Sequence, residues 1–122
     1  MEIKKVAVVG AGAMGHGIGQ VAAMAGFEVT LRDVNDELLT GAMEKINWSL
    51  NKLVQKNRIA EEDAKKTVDR IKLVVPLEEA VKNVDYVIEA IPEKLNLKRQ
   101  ILVKWINSHR RMRSWLRIQV HS

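Results

Sequence analysis

The sequence predicts an α/β fold: a doubly wound parallel sheet with a helical-hairpin insertion, truncated after its fourth strand. Three observations predict it. The run KKVAVVG is continuously apolar and β-branched and stops at a glycine, as a strand covered on both faces of a parallel sheet does. Strand-like and helix-like segments then alternate along the chain, which is the grammar of βαβ units. After the second strand two amphipathic stretches follow each other with no strand between them, and these form the insertion.

Taken in order, the first strand runs from Lys5 to Val9. Between Met14 and Ala25 the small and apolar residues Ile18, Val21, Ala22 and Ala25 recur at helical spacing, and Gly26 closes that helix. FEVTLRD alternates, so the second strand spans Phe27 to Arg32 and ends beside Asp33. Asn35 or Asp36 can cap a long helix reaching about Asn57, and AEEDAKKTVDRI supplies the second arm of the hairpin. KLVVP makes a third strand, LEEAVKNV a short helix, DYVIEAIP a fourth strand, and EKLNLKRQI the start of a further helix. Right-handed crossovers favour a spatial order that begins 3-2-1-4.

The chain of 122 residues suits one domain. Its formal charge of +5 is misleading, because the last twenty-one residues, LVKWINSHRRMRSWLRIQVHS, hold five of the twenty Lys and Arg and no acid. Residues 1–101 therefore carry fifteen basic and fifteen acidic side chains and are neutral as a body. The absence of cysteine excludes disulfides and thiolate metal sites and fits a reducing compartment. No leader pattern or membrane-length apolar run stands in the sequence, so a cytoplasmic protein without a membrane partner is expected.

The first strand leads into GAGAMG, in which Gly10, Gly12 and Gly15 form G-x-G-x-x-G before a helix. Gly10 permits the tight turn, Gly12 lets the backbone approach a pyrophosphate, and Gly15 lets helix and strand pack closely. The free N–H groups of the helix's first turn, near Ala13 and Met14, then face the phosphates. Eighteen residues beyond Gly15, Asp33 ends the second strand, where a carboxylate accepts bonds from ribose hydroxyls and repels a 2′-phosphate. That constellation predicts a Rossmann-type domain that binds NAD in preference to NADP, although the neighbouring Arg32 adds a positive charge beside the acid. His16 reads as a helix residue, and Trp48 and the methionines as packing residues.

Three stretches, VAVVGAGAMGHGIGQVAAMAGFEVTLRDVN, INWSLNKLVQKNRI and DYVIEAIPEKLNLKRQI, resemble the N-terminal part of the 3-hydroxyacyl-CoA dehydrogenase family, which includes 3-hydroxybutyryl-CoA dehydrogenases. The resemblance covers residues 1–101, and the last stretch discriminates most because other dinucleotide-binding domains lack it. It implies that Ala90, Ile91, Glu93 and Lys98 lie along the nicotinamide half of NAD, with Glu93 and Lys98 near the ribose. Lys52 and Lys56, four residues apart on one helix face, become candidates for the phosphates of a coenzyme A thioester. The family oxidises 3-hydroxyacyl thioesters by hydride transfer to NAD, using a histidine oriented by a glutamate. Neither His109 nor His121 stands in the family's His-Phe-Phe-Asn-Pro setting, so no catalytic residue is assigned and a chain inactive by itself is expected. The alternative from another class is a stand-alone dinucleotide-binding or regulatory module.

Residues 102–122 depart from the family pattern. Codons that spell F-S-E-M-D-K-F-A-P-P-H-A-V-L-A-S-N-T-S-S-L, a family-like continuation, give the observed tail when read one base out of step. The tail is thus expected to be a frameshifted end rather than a basic, aromatic arm that grips nucleic acid. With its outer neighbour missing, the fourth strand would be an exposed edge, from which self-association through that edge or the tail is expected.

Overall fold

The computed structural model describes residues 4–10, 15–92, 98–105 and 115–121, with side-chain surroundings described for 4–10 and 15–89. The elements are β1 (Lys5–Val9), α1 (Gly15–Met24), β2 (Glu28–Arg32), α2 (Asp36–Gln55), α3 (Glu61–Asp69), β3 (Ile71–Val74), α4 (Leu77–Ala80), β4 (Tyr86–Pro92), β5 (Lys98–Trp105) and β6 (Trp115–His121). They form a sheet of order β3-β2-β1-β4-β5-β6, whose first four strands are parallel and stand in the predicted order 3-2-1-4.

Period-two alternation sets the two faces of the sheet. Val6 and Val8 on β1 join Val29 and Leu31 on β2 in the main core, which α1, α2 and α3 complete through Ala23, Leu39, Ala42, Ile46, Leu50 and Ala64. Ala7 and Val87 face the other way and pack with Val84, Val9 and Val81. Asp85 ties the strand starts together: one carboxylate oxygen accepts the N–H groups of Lys4 and Lys5, each at 3.0 Å. The Asp85 N–H returns a bond of 2.8 Å to the Lys5 carbonyl, so β1 and β4 enter the sheet in register.

Small residues decide how α1 lies on the sheet. Gly15, Gly19 and Ala23 repeat every four residues on its buried face, and a Cβ on Gly19 would come within 2.6 Å of the Leu31 Cδ2. On α2 the buried stripe is Leu39, Ala42, Ile46 and Leu50. Asn35, rather than Asp36, is its cap, and the Asn35 Oδ1 accepts the Leu38 N–H at 2.9 Å. Asn57 ends the helix in the left-handed region, with φ of 57°. Trp48 was expected to pack, yet it is 65 % exposed. It lies two residues from both Ile46 and Leu50, and at about 100° per residue that places it on the opposite face.

Three further expectations are corrected. β3 ends at Val74 rather than extending through Pro76, because proline has no N–H for a ladder. α4 is one turn instead of reaching Val84, and Asn83 at φ of 61° already belongs to the turn that follows. The largest difference is at EKLNLKRQI, expected to start a helix: residues 93–97 lie outside the described residues, and Lys98 onward is a strand. β5 pairs antiparallel with β4, from Tyr86 opposite Trp105 to Pro92 opposite Arg99, and β6 pairs antiparallel with β5. The sheet therefore does not stop at its fourth strand. β4 is not an open edge, which removes the reason given for self-association through it. The physical reason is that the N–H and C=O groups on the free side of β4 demand partners, and the apolar run Ile101, Leu102, Val103 has the strand propensity to supply them.

Candidate functional site

The carboxyl ends of β1, β2 and β4 converge where the strand order reverses, since β1 is followed in the chain by β2 on one side and lies against β4 on the other. Such a switch point leaves a crevice beyond the strand ends, because successive crossovers go to opposite faces. Val9 pairs with Glu89 in the β1–β4 register, so Gly10 leaves β1 level with Ala90. Ala90 and Ile91 continue β4 at that same edge, opposite Ile101 and Gln100 of β5. Pro92 faces Arg99, which puts the backbone of Lys98 at the corresponding end of β5. Glu93 lies outside the described residues.

Gly10 carries φ of 89°, and its N–H donates to the Arg32 carbonyl at 2.8 Å. A side chain is strained at that φ, so the turn out of β1 is open chiefly to glycine. Gly15 opens α1 directly over the same turn: a Cβ there would overlap the Gly10 carbonyl oxygen and come within 2.8 Å of the Gly10 carbonyl carbon. The helix start thus rests on bare backbone, the close approach a pyrophosphate site needs. Gly12, Ala13 and Met14 lie outside the described residues.

Asp33 follows β2 immediately, and because Gly10 bonds to Arg32 the glycine turn and the acid are held on adjacent strands. One Asp33 oxygen, Oδ1, accepts the Val34 N–H at 2.7 Å, which fixes the carboxylate relative to its own backbone. Beside it opens a cavity of about 500 Å³ walled by Val34, Asn35 and Asp36 on one side and by the β3 end, Lys72 to Pro76, with Glu79, on the other. Lys52 and Lys56 are exposed at the C-terminal end of α2, and the Lys52 ammonium lies 4.8 Å from the centre of the Trp48 ring. Both lysines stand on the hairpin and neither is among the residues that wall that cavity.

Two residues now connect these parts that the sequence did not single out as connectors. Gln20 of α1, 8 % exposed, donates to the Ser49 hydroxyl of α2 at 3.0 Å and so fixes the hairpin to the helix that starts at the glycine loop. Arg32 bridges to the Val75 carbonyl across the β2–β3 boundary. Among the described residues no cluster of three or more His, Cys, Asp or Glu is placed to hold a metal, and no helix is long and apolar enough to cross a membrane.

The family sequence model described as 3-hydroxyacyl-CoA dehydrogenase, NAD binding domain, matches residues 5–111. The chain belongs to this family. The match continues past residue 101, where the quoted motifs end. The 3-hydroxybutyryl-CoA dehydrogenase of Bradyrhizobium diazoefficiens is 44 % identical over 99 residues, covering 81 % of this chain and 33 % of the relative. The probable 3-hydroxybutyryl-CoA dehydrogenase of Bacillus subtilis is 41 % identical over 101 residues, covering 83 % of this chain and 35 % of its own. Among solved structures, the (S)-3-hydroxybutyryl-CoA dehydrogenase of Ralstonia eutropha superposes with a TM-score of 0.72 at 34 % identity, over 79 % of this chain and 34 % of that one. The chain spans about a third of the length of these relatives. It is an NAD-binding domain of the 3-hydroxyacyl-CoA dehydrogenase type, and NAD is its cofactor.

Proposed function

We propose that this NAD-binding domain serves the oxidation of a 3-hydroxyacyl-CoA to the 3-oxoacyl-CoA in fatty-acid or butanoate metabolism, and that its 122 residues alone do not turn over. The observation that carries this reading is the tie between Gly10 and Arg32, which holds the phosphate-binding turn beside the ribose-binding acid at the strand switch point. NAD, when bound, supplies the hydride acceptor. The chain's own residues bind and orient it: Gly10, Gly12, Ala13, Met14 and Gly15 receive the pyrophosphate, Asp33 the adenine ribose, and Ala90, Ile91, Glu93 and Lys98 the nicotinamide half. The lack of cysteine supports a cytoplasmic setting.

Asp33 is the selector in this reading. Calorimetric titration of the unmutated chain is expected to give tighter binding of NADH than of NADPH, and Asp33→Ala to narrow that preference by about tenfold, the scale of one charge-assisted hydrogen bond. Equal affinity for both cofactors in the unmutated chain removes Asp33 from this role.

Lys52 and Lys56 are proposed to contact the phosphates of the coenzyme A thioester, which the relatives' names identify as their substrate type. Their separation by one helical turn and shared exposure support this. Replacing both by Glu is expected to weaken acetoacetyl-CoA binding by about tenfold at low salt, and less as salt screens the charges. Unchanged affinity would assign them to a solvated face.

The tail, residues 102–122, is proposed to come from a coding frame displaced by one base, because a single base string can encode both this tail and a family-like continuation. The gene sequence around codon 101 tests it: failure of an added or removed base to restore that continuation ends the proposal.

A further inference from the structure

We propose that Arg32 is a positioning residue for the adenosine half of the cofactor, acting through Val75 rather than by touching the ligand; this rests on the NAD-site reading given above. Three observations carry it. Arg32 is the last residue of β2, paired with Val74, the last of β3. Beyond that pair the ladder has run out: Asp33 has left the strand, and Pro76 has no N–H to offer. The Val75 carbonyl lies past the last residue of the β3 ladder, and the Arg32 Nε donates to it at 2.9 Å in a partly buried setting.

The same residue acts in the opposite direction through its main chain. Its carbonyl accepts the Gly10 N–H at 2.8 Å, so Arg32 holds the glycine turn on one side and the β3 exit on the other. Val75 and Pro76 are walls of the cavity beside Asp33, and Pro76 starts α4, accepting the Ala80 N–H at 3.0 Å and placing Glu79 on the rim. One guanidinium therefore ties the end of β2 to Val75, a wall of that cavity. With its Nε committed to Val75, Arg32 favours a preformed adenosine seat, and the positive charge next to Asp33 has a structural use other than receiving a 2′-phosphate.

The test uses the full chain and ADP-ribose, which carries the adenosine half without nicotinamide. In calorimetry Arg32→Leu is expected to bind ADP-ribose about tenfold more weakly, the scale of a lost bond to a charged donor. Arg32→Gln, whose amide can donate to the same carbonyl without charge, is expected to stay within about twofold of the unmutated chain. Hydrogen exchange at the Ala80 amide should rise in the Leu variant and not in the Gln variant. If Arg32→Leu binds as tightly as the unmutated chain, or Arg32→Gln is weakened as much as Leu, the proposal is overturned. If Arg32→Leu does not fold, the Gln variant still decides: retained affinity supports donation to Val75, and lost affinity overturns it. An unmutated chain that fails to bind ADP-ribose overturns the cofactor-site reading as well, which separates the two failures.

Discussion

Gly15→Ala is expected to remove NAD(H) binding almost entirely, by a factor of about a hundred or more, and to lower stability by about 3 kcal/mol. The added Cβ would overlap the Gly10 carbonyl oxygen and stand 2.8 Å from its carbon, with the Val8 Cγ1 at 3.5 Å. Two of these three neighbours are backbone, so no rotamer change makes room. Either α1 lifts off β1, which withdraws its first N–H groups from the pyrophosphate, or Gly10 rotates and gives up its bond to Arg32. Gly17 is the control: it lies on the same helix, and among the described residues no atom comes within 4 Å of where its Cβ would stand. Gly17→Ala should be neutral or slightly stabilising, because alanine is the better helix former. Fluorescence titration with NADH and thermal melts of the two variants decide this; equal binding by both would disprove the contact argument.

Leu31→Ala is expected to destabilise the domain by about 3 kcal/mol, a large share of the roughly 5–15 kcal/mol available to a domain. Leu31 is 0 % exposed and fills the space that Gly19 leaves open between α1 and β2, with its Cδ2 2.6 Å from where a Gly19 Cβ would be. A melting temperature lower by about 10 °C follows for a chain of this size. Gly19→Ala alone should also destabilise, by overpacking against Leu31, although the flexible end of Leu31 can yield. The double variant is the sharper test, because the new methyl occupies part of the cavity left by the leucine. Its loss should be smaller than the sum of the single losses. Strict additivity in denaturant unfolding would show that the two residues do not share this space.

Much of the candidate site's local structure was legible because its parts obey local rules. Gly10, Gly15 and Asp33 are recognisable by spacing: a turn with positive φ, a close helix–strand contact and a strand-ending acid each need a particular residue type at a particular place. Lys52 and Lys56 were legible as exposed and co-facial, since charge and helical period suffice for that. Trp48 was misread because composition suggests burial for an aromatic, whereas the stripe through Ile46 and Leu50 had already assigned its position to the outer face. The end of EKLNLKRQI, from Lys98 to Ile101, was misread as helical for a related reason. Its described strand, from Lys98, takes its backbone conformation from the unpaired side of β4, a demand set outside the segment.

The sequence by itself determined the α/β class, the parallel order 3-2-1-4, the glycine turn and its acid, because period and crossover handedness encode faces and topology locally. Only the tertiary structure decided which distant groups meet. Arg32 meets Val75 across 43 positions, Gln20 meets Ser49 across 29, and Arg70 donates to the Ala23 carbonyl at 2.9 Å across 47. The start of β5 likewise joined the sheet where local preference had suggested a helix. In each case the deciding quantity is the cost of leaving a particular buried or edge polar group without a partner. Which group that is depends on the packed arrangement of several elements, and no single window of sequence contains it.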